Sequence, residues 1–357
     1  MVNFWKGKKV LLTGHTGFKG SWLTLWLRHL QAEVSGISLP AQQPSLFDIA
    51  HIEEEITSYY CDITEPSKLP ILIQAIEPEI IFHLAAQALV RPSYNDPVST
   101  FATNIMGTVH LLDAARQCNS VKSVVIITSD KCYKNQEWLW GYRENDVLGG
   151  KDPYSCSKAC AEFVVNSYRH SYLNKQNINV ATARAGNVIG GGDWGKDRLL
   201  PDLLSSFSNK KPVIIRNPKA TRPWQHVCEP LSGYLNLAQK LSENGSAYAQ
   251  AWNFGPSDNA NKTVSWIADY VQQKLPDSLP WKTSDEDNPQ ESQILKLDNS
   301  KARTRLAWHP ILSIDQALDW TVDWHQTWLN KQEMKEFTLN QIQDFMNMMK
   351  ATNGKEK

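Results

Sequence analysis

The chain has 357 residues, 41% hydrophobic and 21% charged, which fits a folded globular protein of one large or two ordinary domains and excludes a disordered one. Its 37 Lys and Arg balance its 37 Asp and Glu, and this zero net charge argues against a generic nucleic-acid or anionic-membrane binder, which needs a basic field. No apolar run approaches the roughly 18 residues of a membrane span, and the segment from Met1 to Lys9 lacks a secretory pattern, so the expected location is cytoplasmic with reduced cysteines.

In chain order, Val10 to Thr13 reads as a buried strand. Phe18 to Leu30 reads as a helix with Leu23, Trp26, Leu27 and Leu30 on one face. Val34 to Ile37 and Ile56 to Tyr60 are the second and third strands. Ile80 to Leu84 and Ser123 to Thr128 follow, separated by a helix over about Val98 to Cys118. A helix from Pro153 to about Tyr172 precedes the strand Ile178 to Ala183. Apolar strands with little alternation, each followed by a helix, predict an α/β fold: a Rossmann-type, doubly wound parallel sheet covered on both faces.

After Arg184 the rhythm breaks. Gly190 to Gly195 is a loop, followed by a helix near Leu199 to Phe207, a strand Val213 to Ile215 and loop sequence rich in Pro, Arg and Trp. The strand pattern resumes at Ala251 to Phe254. The second half thus reads as a smaller, interleaved C-terminal lobe. The sheet domain is expected over residues 1–186 plus about 226–256, and the lobe over about 187–225 plus 257–330. A C-terminal helix with a polar tail takes 331–357, the tail starting near Ala351. Ser313-Ile314-Asp315-Gln316 is a capping-box pattern, and the helix it opens carries Trp320, Trp324 and Trp328, a stripe expected to pack in the core. Cys156 and Cys160, four apart, are expected as small buried apolar residues.

Thr13-Gly14-His15-Thr16-Gly17-Phe18-Lys19-Gly20 joins the first strand to the first helix. Glycines at these positions allow a tight turn and a close backbone approach to a pyrophosphate, held by free N–H groups and the helix dipole. Dinucleotide binding is therefore expected, with Gly14, His15, Gly17, Phe18, Lys19 and Gly20 as contacts. Asp62-Ile63 follows the third strand, where Asp62 either accepts a hydrogen bond from an adenine amino group or caps a local helix. The second strand ends Ser35-Gly36-Ile37-Ser38, with neither an acid for a ribose hydroxyl nor an arginine for a 2′-phosphate, and NAD is favoured. No metal-ligand pattern is read.

Asp152 is a good N-cap and Pro153 suits a first helical turn. Tyr154 and Lys158, four apart, project from one face of that helix. A phenol near pKa 10 is a poor base, and a neighbouring ammonium together with a cationic nicotinamide is expected to lower it. Thr128-Ser129-Asp130-Lys131 ends the fifth strand. Ser129 can hydrogen-bond the hydroxyl being oxidised. Asp130-Lys131 adds an acid and a base beside a redox site, or else is a solvated surface turn.

TGxxGxxG, Ser129, Tyr154 and Lys158 resemble the extended short-chain dehydrogenase/reductases. Longer stretches are similar to a narrower group, the CDP-glucose 4,6-dehydratases: TGHTGFKGSWLTLW from Thr13, HLAAQALVRPSY from His83, TSDKCY from Thr128, ARAGNVIGGGDW from Ala183 and RNPKATRPWQHVCEPL from Arg216. The resemblance implies Ser129, Asp130, Lys131, Tyr154 and Lys158 as catalytic, and Ala85 and Ala86 as small residues where the dinucleotide passes. Asn187, Arg198, Arg216 and Arg222 would meet the sugar diphosphate, since guanidinium groups suit bidentate phosphate contact. Cys156 and Ala159 depart from the Asn and Gly expected there. His83 is read as a packed or cofactor-edge residue. The implied activity is dehydration of CDP-glucose with internal NAD cycling, in a homodimer built on the 98–118 and 153–172 helices. The alternatives are another 4,6-dehydratase, a 4-epimerase, which needs no elimination pair, or a non-catalytic NAD-sensing protein.

Overall fold

Strands form where the chain carries apolar residues at consecutive positions, because both faces of the sheet are covered. The computed structural model describes residues 2–208, 211–275, 279–284 and 294–353. Its central sheet contains β1 (Lys9–Thr13), β2 (Glu33–Ser38), β3 (Thr57–Tyr60), β4 (Ile80–His83), β5 (Ser123–Ile127), β6 (Asn179–Arg184) and β7 (Ala251–Asn253). They pair in the order β7-β6-β5-β4-β1-β2-β3, all parallel. Val10 and Leu12 of β1, Ile80 and Phe82 of β4, and Val125 and Ile127 of β5 enter one hydrophobic cluster. Leu11, Ile81, Val124 and Ile126, which alternate with them, enter the cluster on the other face.

The chain winds from β1 outward to β3 and then returns to β4 on the other side of β1. This opens a crevice at the carboxyl ends of β1 and β4. Helix α1 (Phe18–His29) starts at that crevice and buries Leu23, Trp26 and Leu27. The long helix expected over 98–118 is divided. Pro97–Phe101 leads into a π-helical turn, Ala102–Met106, before α2 (Gly107–Ala115). The turn presents buried Asn104, whose Oδ1 accepts from Gln87 N (2.9 Å) and whose Nδ2 donates to Gln87 O (3.0 Å) and Ser157 Oγ (2.8 Å). It thereby ties the loop after β4 to helix α3 (Pro153–Ser171), in keeping with the frequent placement of such bulges at functional sites.

Helices α4 (Leu199–Ser208), α5 (Cys228–Asn244), α6 (Ile314–Leu329) and α7 (Met334–Asn353) follow, with a further helix at Val264–Lys274. Short strand pairs lace the second half together, among them Thr221–Pro223 antiparallel to Asn261–Thr263. A separate cluster of Ile189, Leu200, Trp224, Ile267 and Leu318 forms the core of the smaller lobe. The capping box of Ser313 and Gln316 is present. Trp324 is fully buried, and Trp320 and Trp328 pack beside it. Helix α7 continues through Asn353, past the expected start of the polar tail, because Phe345 and Met346 pack against Trp26 and its neighbours. The last four residues of the expected tail, 354–357, lie outside the described residues. Cys156 and Cys160 are half-buried rather than buried, since they lie on the outward face of α3 with exposed Phe163.

Candidate active site

The glycine loop is shaped by contacts that exclude side chains. Gly14 has φ +74°, and a Cβ there would stand 2.7 Å from Ala85 N. A Cβ on Gly20 would strike Gly14 O. β1 and β4 can therefore approach closely, and α1 begins with free N–H groups aimed at the crevice, a cradle that fits a dinucleotide diphosphate. Thr13 Oγ1 bridges His83 Nδ1 (2.7 Å) and Ala85 N (3.2 Å). Burial, helped by the Lys158 charge, lowers His83 to about 3, so its ring is neutral and packed.

The other expected cofactor residues separate. The His15 imidazole turns into the protein: it is buried, its Nε2 meets Ser58 Oγ at 2.6 Å, and burial lowers it to about 4. Only its backbone borders the loop. Asp62 Oδ1 accepts from Thr64 N (2.9 Å), the local capping alternative, and Ile63 packs under Gly107. Ser38 at the end of β2 pairs with Thr16 Oγ1 (2.8 Å).

A cavity of about 810 Å³ holds Ser129, Asp130, Lys131 and Tyr154 together, with Phe18 and Lys19 on its cofactor side. Ser129 N-caps a single 3₁₀ turn that follows β5 and carries the next two residues. Asp130 is completely buried. Its Oδ1 accepts from Ser129 Oγ (3.0 Å) and lies 3.6 Å from Lys131 Nζ, while Oδ2 has no partner among the described residues. The pair is thus not a solvated surface turn. Tyr154 also hydrogen-bonds Ser129, but burial outweighs that bond and pushes the phenol up to about 12. The expectation that Lys158 lowers this phenol is not met without a cofactor cation: Lys158 Nζ donates to Ile127 O (3.3 Å), and burial brings the amine down to about 8. Lys19 is drawn to about 7 by burial and by the nearby Lys158 and Arg198 charges, against Asp130 and Asp193.

A buried ion pair lies beneath this cluster. Arg184 Nη2 and Nε donate to Glu162 Oε2 and Oε1 (both 2.8 Å), and Thr128 and Thr182 hydroxyls complete the carboxylate's shell at 2.6 and 2.7 Å. Burial works to raise the Glu162 carboxyl, but Arg184 and the two hydroxyls prevail and hold it low. Glu162 lies one turn beyond Lys158 and Thr128 directly precedes Ser129, so this network fixes α3 against the end of β5.

The lobe contributes the opposite wall. Asn187 reaches φ +40°, and its Oδ1 is buried without a partner among the described residues. Arg198, Arg216 and Arg222 all line the cavity. Arg198 Nη1 grips both oxygens of Asp193 (3.0 and 2.9 Å). Arg216 Nη1 and Arg91 Nη1 both donate to Asp197 Oδ1 at 2.9 Å. Arg91, Asp193 and Asp197 were not singled out from the sequence, although Arg91 and Asp193 lie inside the family-like stretches. Tyr234 of α5, a buried hydroxyl beside Tyr154 and Asp130, carried no sequence signal.

A profile of the GDP-mannose 4,6 dehydratase family matches residues 11–321. The chain is 50% identical over 350 residues to a CDP-glucose 4,6-dehydratase of Salmonella typhimurium, covering 96% of this chain and 98% of that protein. Its fold is similar to a UDP-glucose 4-epimerase of Thermotoga maritima solved with UDP-glucose (TM-score 0.79, 20% identity, 90% of this chain and 99% of that one). It is also similar to a UDP-glucose 4-epimerase of Brucella ovis in complex with NAD (TM-score 0.76, 19% identity, 89% and 98%).

Proposed function

The chain belongs to the GDP-mannose 4,6 dehydratase family, and on that footing we propose that it converts CDP-D-glucose to CDP-4-dehydro-6-deoxy-D-glucose and water. It is a nucleotide-sugar dehydratase, and NAD is its cofactor. The observation that carries this reading is the fully buried Asp130 carboxyl, 3.6 Å from Lys131 Nζ, in the same cavity as Tyr154. An elimination needs such an acid and base; an epimerisation does not.

Gly14, Gly17 and Gly20, with the first turn of α1 through Phe18 and Lys19, would hold the cofactor diphosphate. The His15 backbone, Asp62, Ile63, Ala85 and Ala86 would border it. When bound, NAD would supply a reversible hydride acceptor, taking hydride from C4 and giving it back at C6 after water has left, while C5 regains a proton, so that the sequence reaches the 6-deoxy sugar with no net change of oxidation state. Tyr154 takes the proton of the 4-hydroxyl, with Ser129 hydrogen-bonded to that oxygen. The 4-ketone acidifies the C5 proton, which Lys131 removes. Asp130 protonates the departing 6-hydroxyl, and water leaves across C5–C6. With the cofactor bound, the Lys158 charge together with the nicotinamide cation would favour the Tyr154 phenolate. Asn187, Arg198, Arg216 and Arg222 receive the substrate diphosphate in a lobe made of about 187–225 and 257–330.

We also propose a homodimer. Val98 and Phe163 are 78% and 60% exposed on neighbouring helices, and Met106 of the π turn is also exposed. Covering such apolar side chains is what a helix-to-helix dimer face does. Size-exclusion at the monomer mass would contradict it.

Incubation with CDP-glucose and NAD should yield the 4-ketone, read by its absorbance in alkali. No signal with CDP-glucose, but one with the thymidine- or guanosine-linked sugar, would overturn the substrate assignment.

A further inference from the structure

Arg91 has no role in the reaction described above. It stands in the short helix Val90–Asn95 that follows β4, far in sequence from its partner Asp197 (106 residues). Arg216 Nη1 donates to the same Asp197 Oδ1. All three residues line the cavity that contains Asp130 and Tyr154. Two guanidinium groups brought to one point repel each other unless an anion lies between them. Burial tends to raise the Asp197 carboxyl, but hydrogen bonds from Arg91 and Arg216 overcome it and hold the carboxyl low.

One carboxylate cannot satisfy this pair. Each guanidinium carries five N–H donors in a planar fork, yet each meets Asp197 through the one oxygen Oδ1, and Asp202, which lines the same cavity near Arg216, is pushed up to about 6 by burial. A diphosphate has more charge and more acceptor oxygens than a carboxylate and suits two forks at once. The three side chains keep 42%, 35% and 26% of their surface exposed for Arg91, Asp197 and Arg216. Ion pairs this exposed are weak, so a stronger anion can displace the carboxylate. Arg198 differs, because Asp193 already meets it with both oxygens.

We propose that Arg91 and Arg216 form an anion clip for the diphosphate of the nucleotide sugar. Asp197 is a resident carboxylate that keeps the clip assembled and yields to the substrate. This deepens the substrate reading above and rests on it for the nucleotide. Arg91 thereby becomes a substrate-binding residue, and Asp197 a positioning residue that competes with the ligand.

The test uses the full chain saturated with NAD and titrated with CDP in a calorimeter. Arg91→Met should weaken CDP binding about tenfold or more, the loss expected for a charge-assisted phosphate contact, and leave NAD affinity unchanged. Asp197→Asn should bind CDP as tightly as the parent or more tightly. Inorganic pyrophosphate should displace CDP and leave NAD in place. Unchanged CDP binding by Arg91→Met would overturn the clip. So would a loss in Asp197→Asn equal to that in Arg91→Met, or an effect of Arg91→Met or pyrophosphate falling on NAD. A parent chain that ignores CDP but binds another nucleoside diphosphate would overturn the cytidine assignment alone. The clip is then judged on that nucleotide by the same criteria.

Discussion

The Oδ2 oxygen of Asp130 occupies the space that a Cβ on residue 186 would fill, so the proposed acid can take its position only because Gly186 carries no side chain. Gly186→Ala should therefore displace the carboxyl from the cavity while leaving the sheet intact. Turnover should fall about a hundredfold or more, the usual contribution of a positioned proton donor, with NAD affinity and melting temperature near parental. Full activity in Gly186→Ala would show that the carboxyl position is not needed.

Lys131 is the proposed base for the C5 proton. Lys131→Met should retain oxidation at C4, so that reduced dinucleotide absorbance rises and persists, while formation of 6-deoxy product falls about a hundredfold or more. Product formed at the parental rate would assign the base elsewhere.

Much of the sheet was legible because both of its faces are buried. Consecutive apolar residues such as Val10-Leu11-Leu12 and Val124-Val125-Ile126 specify a strand without help from distant residues. The π turn at 102–106 was not legible, because it depends on Asn104 bonding Gln87 and Ser157, whose proximity only the fold creates. At the site, Ser129, Asp130, Lys131 and Tyr154 were legible from strand-end and helix-start positions and from family-like motifs. Their electrostatics were not. The raised Tyr154 and lowered Lys158 follow from burial, which the spacing of two residues on a helix does not report. Likewise the inward turn of the His15 side chain, toward Ser58 and over Gly36, is not legible from the glycine loop.

The phenol of Tyr154 stands at about 12 without cofactor, raised by burial despite the Ser129 bond. A raised phenol is neutral at ordinary pH, so the base must be generated when a cation enters the site. Phenolate absorbance, isolated by subtracting the Tyr154→Phe spectrum, should be absent between about pH 7 and 9 in the cofactor-free chain and appear when NAD is added. Identical spectra with and without NAD would contradict a cation-activated base.

Glu229 of α5 accepts from Ile311 N (2.8 Å) and Leu312 N (2.6 Å) through Oε1, while Oε2 is buried without a partner among the described residues. Burial raises its carboxyl from 4.5 to about 8 against those two bonds. Between these values the unfolded chain has released the proton and the folded chain keeps it, so stability falls as pH rises through this window. Glu229→Gln keeps the acceptor and removes the titration. Its stability should decline less over the same range, a difference on the order of a few kcal/mol by its upper end. Parallel pH profiles for parent and variant would contradict a raised carboxyl.

In the proposed reaction one hydride leaves C4 of the hexose and returns to C6 within a single active site. CDP-glucose deuterated at C4, incubated with the enzyme and NAD, tests it most directly. The deuterium should appear in the C6 methyl group of the 4-dehydro-6-deoxy product. Product lacking deuterium at C6, or deuterium restored to C4 of an epimerised sugar, would contradict it.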